Sequence, residues 1–172
     1  MEVSVGRLKR HPEEVADFHF ELAPGDPEAG DLHLHGSAHV SGTVTNTGKS
    51  MLVRGSIMGE IVLTCSRCLD EFVYPLHLEF DQEFRELATS GPPGLEDDFM
   101  TYNDDVLNLA DAVQQTIWLN LPMKPLCRPE CLGLCPVCGH NLNEGPCGCE
   151  PAVDPRWAPL ADVKLQPRRP GQ

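Results

Sequence analysis

The chain has 172 residues and carries 26 acidic against 13 basic side chains, a net charge of −13 at pH 7 with neutral histidine. That length suits one medium domain with a core of its own, so metal need not supply all the stability. No apolar run approaches the ~20 residues of a membrane span, and such acidity repels phosphate backbones unless a separate basic face exists. The charge is unevenly spread. Residues 1–60 hold five Lys/Arg against nine Asp/Glu, residues 61–110 two against eleven, and residues 111–172 six of each.

The first third reads as strands. Thr43-Val44-Thr45 is β-branched and runs into an Asn46-Thr47-Gly48 turn signal. Met51–Thr64 is rich in aliphatic residues but interrupted by Gly55 and Gly59, which predicts a long bent strand or a bulged pair. From Phe72, the residues Phe72, Tyr74, Leu76, Leu78 and Phe80 share one face at period two, opposite His77, Glu79 and Asp81. Cys65 and Cys68 therefore fall at the tip of a hairpin, and Pro75 points to an edge strand. Residues 88–98 read as a loop by their Gly, Pro and acidic content. A helix follows, with Asn108 as predicted N-cap, Asp111 in its first turn, a core stripe of Leu109, Ala112, Val113, Thr116 and Ile117, and a stop at Leu121-Pro122. The expected fold is α+β: a mainly antiparallel sheet or partly open barrel, one main helix and a C-terminal cysteine-rich zinc-binding segment. The expected divisions are a β-rich unit over 1–122, the cysteine-rich segment over 123–150 packed on it, and a Pro-rich tail over 151–172.

Six of the eight cysteines lie between Cys127 and Cys149. Cys65/Cys68 and Cys135/Cys138 have the two-residue gap of zinc knuckles, in which both thiolates face one side and nearby backbone N–H groups can bond them. Cys127 and Cys131 share a face if their segment makes a helical turn. Cys147 and Cys149 point the same way in extended chain. The preferred partition places Cys135, Cys138, Cys147 and Cys149 in one site and Cys65, Cys68, Cys127 and Cys131 in another. A swapped arrangement, with Cys127 and Cys131 joining Cys135 and Cys138, stays open, as does the number of zinc ions, one or two. Disulfides fit poorly, because Met1–Leu8 has no apolar segment of a signal peptide and the cysteine density is modest for a disulfide scaffold. A cytoplasmic protein with reduced thiols is expected. Four-thiolate sites are closed and structural, whereas catalytic zinc keeps a position for water. The rival use of Cys65-Ser66-Arg67-Cys68 is thiol redox exchange, with Arg67 lowering a thiol pKa, but such motifs begin a helix rather than cap a hairpin. Phosphate loops, nucleophile elbows and His-Glu-x-x-His are absent, so no enzyme is predicted.

The segments Leu63-Thr64-Cys65-Ser66-Arg67-Cys68-Leu69, Leu121-Pro122-Met123-Lys124-Pro125-Leu126-Cys127 and Cys131-Leu132-Gly133-Leu134-Cys135-Pro136-Val137-Cys138-Gly139-His140-Asn141-Leu142-Asn143-Glu144-Gly145 resemble the bacterial YceD family. Gly42–Gly48, Leu52–Gly55 and Asp154–Leu160 add to the likeness, which spans roughly residues 40–160. The resemblance implies a role in accumulation of large-subunit ribosomal RNA in the bacterial cytoplasm, and no catalytic residues. Two partner classes follow from charge. Glu79, Asp81, Glu83 and Glu86 suit a basic large-subunit ribosomal protein. Lys124, Arg128 and Arg156, with Trp157 stacking on a base, suit ribosomal RNA. Neither a membrane nor a small-molecule substrate is expected.

Overall fold

The computed structural model describes residues 1–11, 14–87, 99–149 and 156. The predicted loop at 88–98, Trp157 and nearly all of the Pro-rich tail lie outside the described residues.

Alternation at period two builds the sheet. In β2 (Val15–Leu22) Phe18 and Leu22 turn inward; in β3 (Ala38–Asn46) Ala38, Val40 and Val44 do so; in β4 (Met51–Thr64) Met51, Val53, Ile57 and Ile61 follow the same parity. β5 (Glu71–Glu86) turns Leu76, Phe80 and Phe84 to the core, with Phe72, Tyr74 and Leu78 half-buried on the same side. The face expected from Phe72 to Phe80 is therefore the core face, and the β4–β5 hairpin has its tip at Cys65–Asp70. A short β6 (Phe99–Tyr102) completes a five-stranded sheet in the order β2-β3-β4-β5-β6. All its pairings are antiparallel except β5–β6, which is parallel. The sheet is open, ending at β2 and β6, so of the two expected architectures the sheet is found and the barrel is not. Pro75 does lie on an edge, though a partial one: β6 reaches β5 only at Glu83–Glu86.

β4 is neither bulged nor broken. Its register with β5 runs without a slip from Met51↔Phe84 to Thr64↔Glu71. The glycines serve close approach instead. Gly55 and Gly42 face each other across β3–β4, and a Cβ on Gly55 would stand 2.8 Å from the Phe80 ring, so that ring fills the space the missing side chains leave. A Cβ on Gly42 would meet the Arg54 carbonyl oxygen at 2.1 Å. At the β3–β4 turn, Asn46 Oδ1 accepts the Gly48 N–H, and Gly48 takes a φ of 84° that suits glycine.

A two-stranded ribbon of β1 (Glu2–Ser4) and β7 (Val106–Asn108) leads into α1 (Ala110–Asn120). Leu109, Ala112, Val113 and Ile117 are buried, as their helical spacing predicts, and Thr116 is half-buried. The helix begins one residue later than expected. Asn108 is held in β7 by pairing with Glu2, so Leu109 is the backbone cap, while Asn108 Oδ1 still accepts the Ala110 N–H at 2.9 Å. Gln114 Nε2 donates to the Glu28 carbonyl, tying α1 to the turn after β2. Asp111 sits in the first turn, and Leu121 ends the helix in extended conformation ahead of Pro122. The chain then returns to the hairpin tip, where the Ser66 N–H donates to the Pro125 carbonyl at 2.8 Å.

Because backbone and not a flexible side chain faces the missing Cβ, Gly42→Ala is expected to lower unfolding free energy by about 1–3 kcal/mol, read from urea denaturation.

Candidate metal centres

The eight cysteines converge on two places. Cys65, Cys68, Cys127 and Cys131 form one group and Cys135, Cys138, Cys147 and Cys149 the other, with the sulfurs of each group all within 4.8 Å of one another. This is the preferred partition, not the swapped one.

The first group pins the hairpin tip to the chain leaving α1. Cys65 and Cys68 come from the turn between β4 and β5, where the Leu69 N–H bonds the Cys65 carbonyl at 3.0 Å. Cys65 Sγ lies 3.8 Å from Cys131 Sγ, and Cys68 Sγ lies 3.7 Å from Cys127 Sγ. Those separations are far beyond a disulfide bond. They match the edge of a tetrahedron of thiolates around zinc, about 3.8 Å when each Zn–S bond is about 2.3 Å. Cys65, Cys68 and Cys131 are buried and Cys127 half-buried. Arg67 does not act on a thiol through its side chain: its Nη1 donates to the carbonyls of Cys131, at 2.8 Å, and Pro129, clamping the opposite ligand loop.

The second group repeats the knuckle. The Gly139 N–H bonds the Cys135 carbonyl at 2.9 Å, and the Val137 N–H donates to Cys135 Sγ at 3.4 Å. Gly139 has a φ of 75°, the left-handed position that closes such a turn. This group is less enclosed: Cys135 is buried, Cys147 and Cys149 are half-buried and Cys138 is exposed. The two groups are joined through polar contacts. The Leu134 N–H donates to the Arg67 carbonyl, Asn141 Nδ2 to Asp70 Oδ2 at 2.8 Å, and Asn143 Nδ2 to both Cys131 Sγ and Asn141 Oδ1. Sequence reading passed over Asn141 and Asn143. Their signal was the Asn-x-Asn spacing just after a knuckle, where short amide side chains cap turns.

The surroundings favour thiolates unequally. Burial pushes Cys65 up, but the backbone N–H groups of Cys68, Cys127 and Arg67 outweigh it and bring the thiol to about 6. The Cys138 and Val137 N–H groups bring Cys135 to about 6, and the Asn143 amide leads in lowering Cys131. Competition with Cys138, together with burial, raises Cys149 to about 12. Burial leads in raising Cys127. Like charges at these distances cannot all ionise unaided. A divalent cation resolves that conflict, displacing protons as it binds, so affinity falls as pH drops, and most steeply below the value near 6 at which Cys65 and Cys135 regain protons as well. Soft sulfur donors in fours fit zinc, and neither group includes a histidine or leaves a ligand position for water.

The other predicted residues are dispersed. Lys124 and Arg128 are exposed on either side of Cys127, and Arg156 is exposed. Glu79, Asp81 and Glu83 share the outward face of β5, whereas Glu86 has the opposite parity and receives Lys9 Nζ at 2.8 Å. Glu83 Oε1 meets Arg85 Nε at 2.8 Å, and that guanidinium holds its carboxyl below the usual range.

Fold and site together define an open-sheet protein whose central hairpin is bound to a two-knuckle cysteine segment. The chain belongs to the YceD family: the model described as "Large ribosomal RNA subunit accumulation protein YceD" matches residues 53–164, a range holding all eight cysteines. It is similar to uncharacterized proteins of Mycobacterium tuberculosis strain H37Rv and Mycobacterium bovis, each 29% identical over 175 residues, covering 95% of this chain and 81% of the relative. An uncharacterized Mycobacterium leprae protein is 28% identical over 121 residues, 70% of this chain and 56% of its own. No solved structure matches.

Wild-type protein is expected to carry two zinc ions per chain, and Cys65→Ser/Cys68→Ser and Cys147→Ser/Cys149→Ser one each, by elemental analysis. The hairpin pair should unfold at markedly lower temperature than the outer pair, since it empties the buried group. Asn143→Ala removes a donor to a ligand sulfur without removing a ligand. It should speed zinc loss to a chelator by about 10-fold or more while leaving the starting zinc content at wild type.

Proposed function

We propose that this chain is a zinc-stapled, non-enzymatic factor of the bacterial cytoplasm that supports accumulation of large-subunit ribosomal RNA and assembly of that subunit. The match of the family model across residues 53–164 is the observation that supports it most directly. Geometry is consistent with a structural use of metal. Both cysteine groups present four thiols and no open position, so a bound zinc has nowhere to activate water. Burial of Cys65 and Cys68 within a group of four also argues against thiol exchange with a partner, which needs an accessible thiolate. No helix among the described residues is long and apolar enough to cross a membrane.

The factor acts through a basic protein of the large subunit. The charge distribution supports this: residues 61–110 hold eleven acids against two bases, and Glu79 and Asp81 are exposed. Direct RNA contact through Lys124, Arg128 and Arg156 has one observation in its favour, their exposure beside or beyond the first cysteine group.

Depleting the protein from its own cells is expected to lower the ratio of large- to small-subunit ribosomal RNA. Wild type should restore it, and Cys65→Ser/Cys68→Ser should not. An unchanged ratio on depletion would sink the reading. In-cell crosslinking then separates the partners. Attached large-subunit RNA that weakens steeply with salt, in proportion to phosphates contacted, would move the contact to Lys124 and Arg128; protein adducts without RNA are the expected result.

A further inference from the structure

β5 is served unequally on its two sides. β4 pairs with it from Glu71 to Phe84, while β6 meets it only at Glu83–Glu86. Among the described residues, no strand pairs with the second side of Glu71–Asp81. Pro75 interrupts that edge once. An exposed strand edge of this length is a template for another extended chain, and proteins usually cover or blunt it.

The side chains along the edge describe what fits there. Phe72, Tyr74 and Leu78 point to the core side yet are half-buried, while Leu76 between them and Phe80 after them are buried. Part of the apolar surface on this face of β5 therefore stays exposed. On the outward side Glu71, Glu79 and Asp81 are exposed, and none has an ion-pair partner within 4.0 Å among the described residues. Glu83 and Glu86, at the end where β6 closes the edge, are the ones already neutralised, by Arg85 and Lys9. Among the described residues, acidic side chains without an ion-pair partner within 4.0 Å therefore coincide with the unpaired stretch, where the one cross-strand base is Arg54 of β4, opposite Asp81.

We propose that the Glu71–Asp81 edge of β5 accepts an extended cationic segment of a partner protein as an added strand. Alternate apolar side chains of that segment extend the Phe72–Tyr74–Leu78 surface, and the intervening Lys or Arg residues face Glu71, Glu79 and Asp81. The inference rests on the reading of this chain as a factor that works through a basic protein, and it names where and in what conformation that protein is held. A nucleic-acid strand is disfavoured at this edge by three carboxylates. A second copy of β5 is disfavoured by the same charges meeting themselves.

The test uses the full zinc-loaded chain and a fluorescent ten-residue peptide alternating Lys and Val. Saturable binding is expected, weakened about tenfold or more by Glu79→Lys/Asp81→Lys and lost with a Glu–Val peptide. Methylating the amide nitrogens along one edge of the Lys–Val peptide leaves its charge intact but removes its strand hydrogen bonds. That peptide should bind about tenfold or more weakly, and amide exchange of residues 71–81 should slow only with the unmethylated one. Equal binding of both peptides would reduce the contact to charge attraction, and protection elsewhere or no binding would likewise overturn strand addition. These outcomes are separate from the ribosomal RNA ratio. A chain that restores the ratio without binding the peptide overturns this edge alone, and one that binds the peptide while its depletion leaves the ratio unchanged overturns the functional reading alone.

Discussion

The described cysteine segment after α1 depends on one closure: four thiols at the β4–β5 tip and after α1 gathered across a sequence separation of 66 residues between Cys65 and Cys131. Bringing such distant points together costs chain entropy that grows only slowly with loop length, so a single strong cross-link is an effective way to meet it. Apolar contact alone does not suffice, since the small cluster around Cys65, Cys68 and Cys131 has little besides Phe72 and Leu126 packed against it. Zinc binding to four thiolates contributes on the order of 10 kcal/mol or more in comparable small sites. The hydrogen bonds that surround the first group, from Ser66 to Pro125 and from Arg67 to Cys131, have geometry only once the closure exists.

The second group inherits its position from the first. The chain between Cys131 and Cys135 is anchored to the hairpin by Leu134 bonding Arg67, and a Cβ on Gly133 would approach that same carbonyl at 3.0 Å. Asn141 then reaches Asp70, and Asn143 reaches back to Cys131. The outer knuckle is in effect built on the tip of the inner one. The two turns also differ in one telling position. After the second Cys of the outer knuckle stands Gly139 with φ 75°, while in the inner one Leu69 takes φ 63° and is exposed. A left-handed leucine is strained by order 1–2 kcal/mol, and the burial of Cys65 and Cys68 beneath it is what holds it there.

The cysteine grouping and the central hairpin were legible because each rests on local spacing. A two-residue gap makes a knuckle, and period two over Phe72–Phe80 orients β5 whatever surrounds it. The same parity could have separated Glu86 from Glu79, Asp81 and Glu83, since an even position on that strand faces the other way; the acids were grouped by proximity in sequence instead. Gly55 and Gly59 were read as breaks because local logic knows glycine as a bulge former. Their use as room for Phe80 and Ala38 needs the neighbouring strands in place. β1, β6 and β7, of three, four and three residues, are too short to carry a period at all. The roles of Asn141 and Asn143 depend on which loop lies opposite.

Placing the metal groups at one end of the long hairpin has a consequence for its middle. β4 and β5 are held at the tip by the cysteines and at the base by β6 and the Lys9 pair with Glu86. Between those two clamps, Glu71–Asp81 is kept extended without a neighbour on its outer side among the described residues. An isolated edge of that length would ordinarily twist or fray, exposing its half-buried aromatics. Held at both ends, the stretch is also paired with β4 without a register slip from Glu71 to Phe84. A metal ion held by these four thiols would thus do more than close a loop: it would pre-order a strand edge, so that a partner strand adding there need not supply the entropy of ordering both strands.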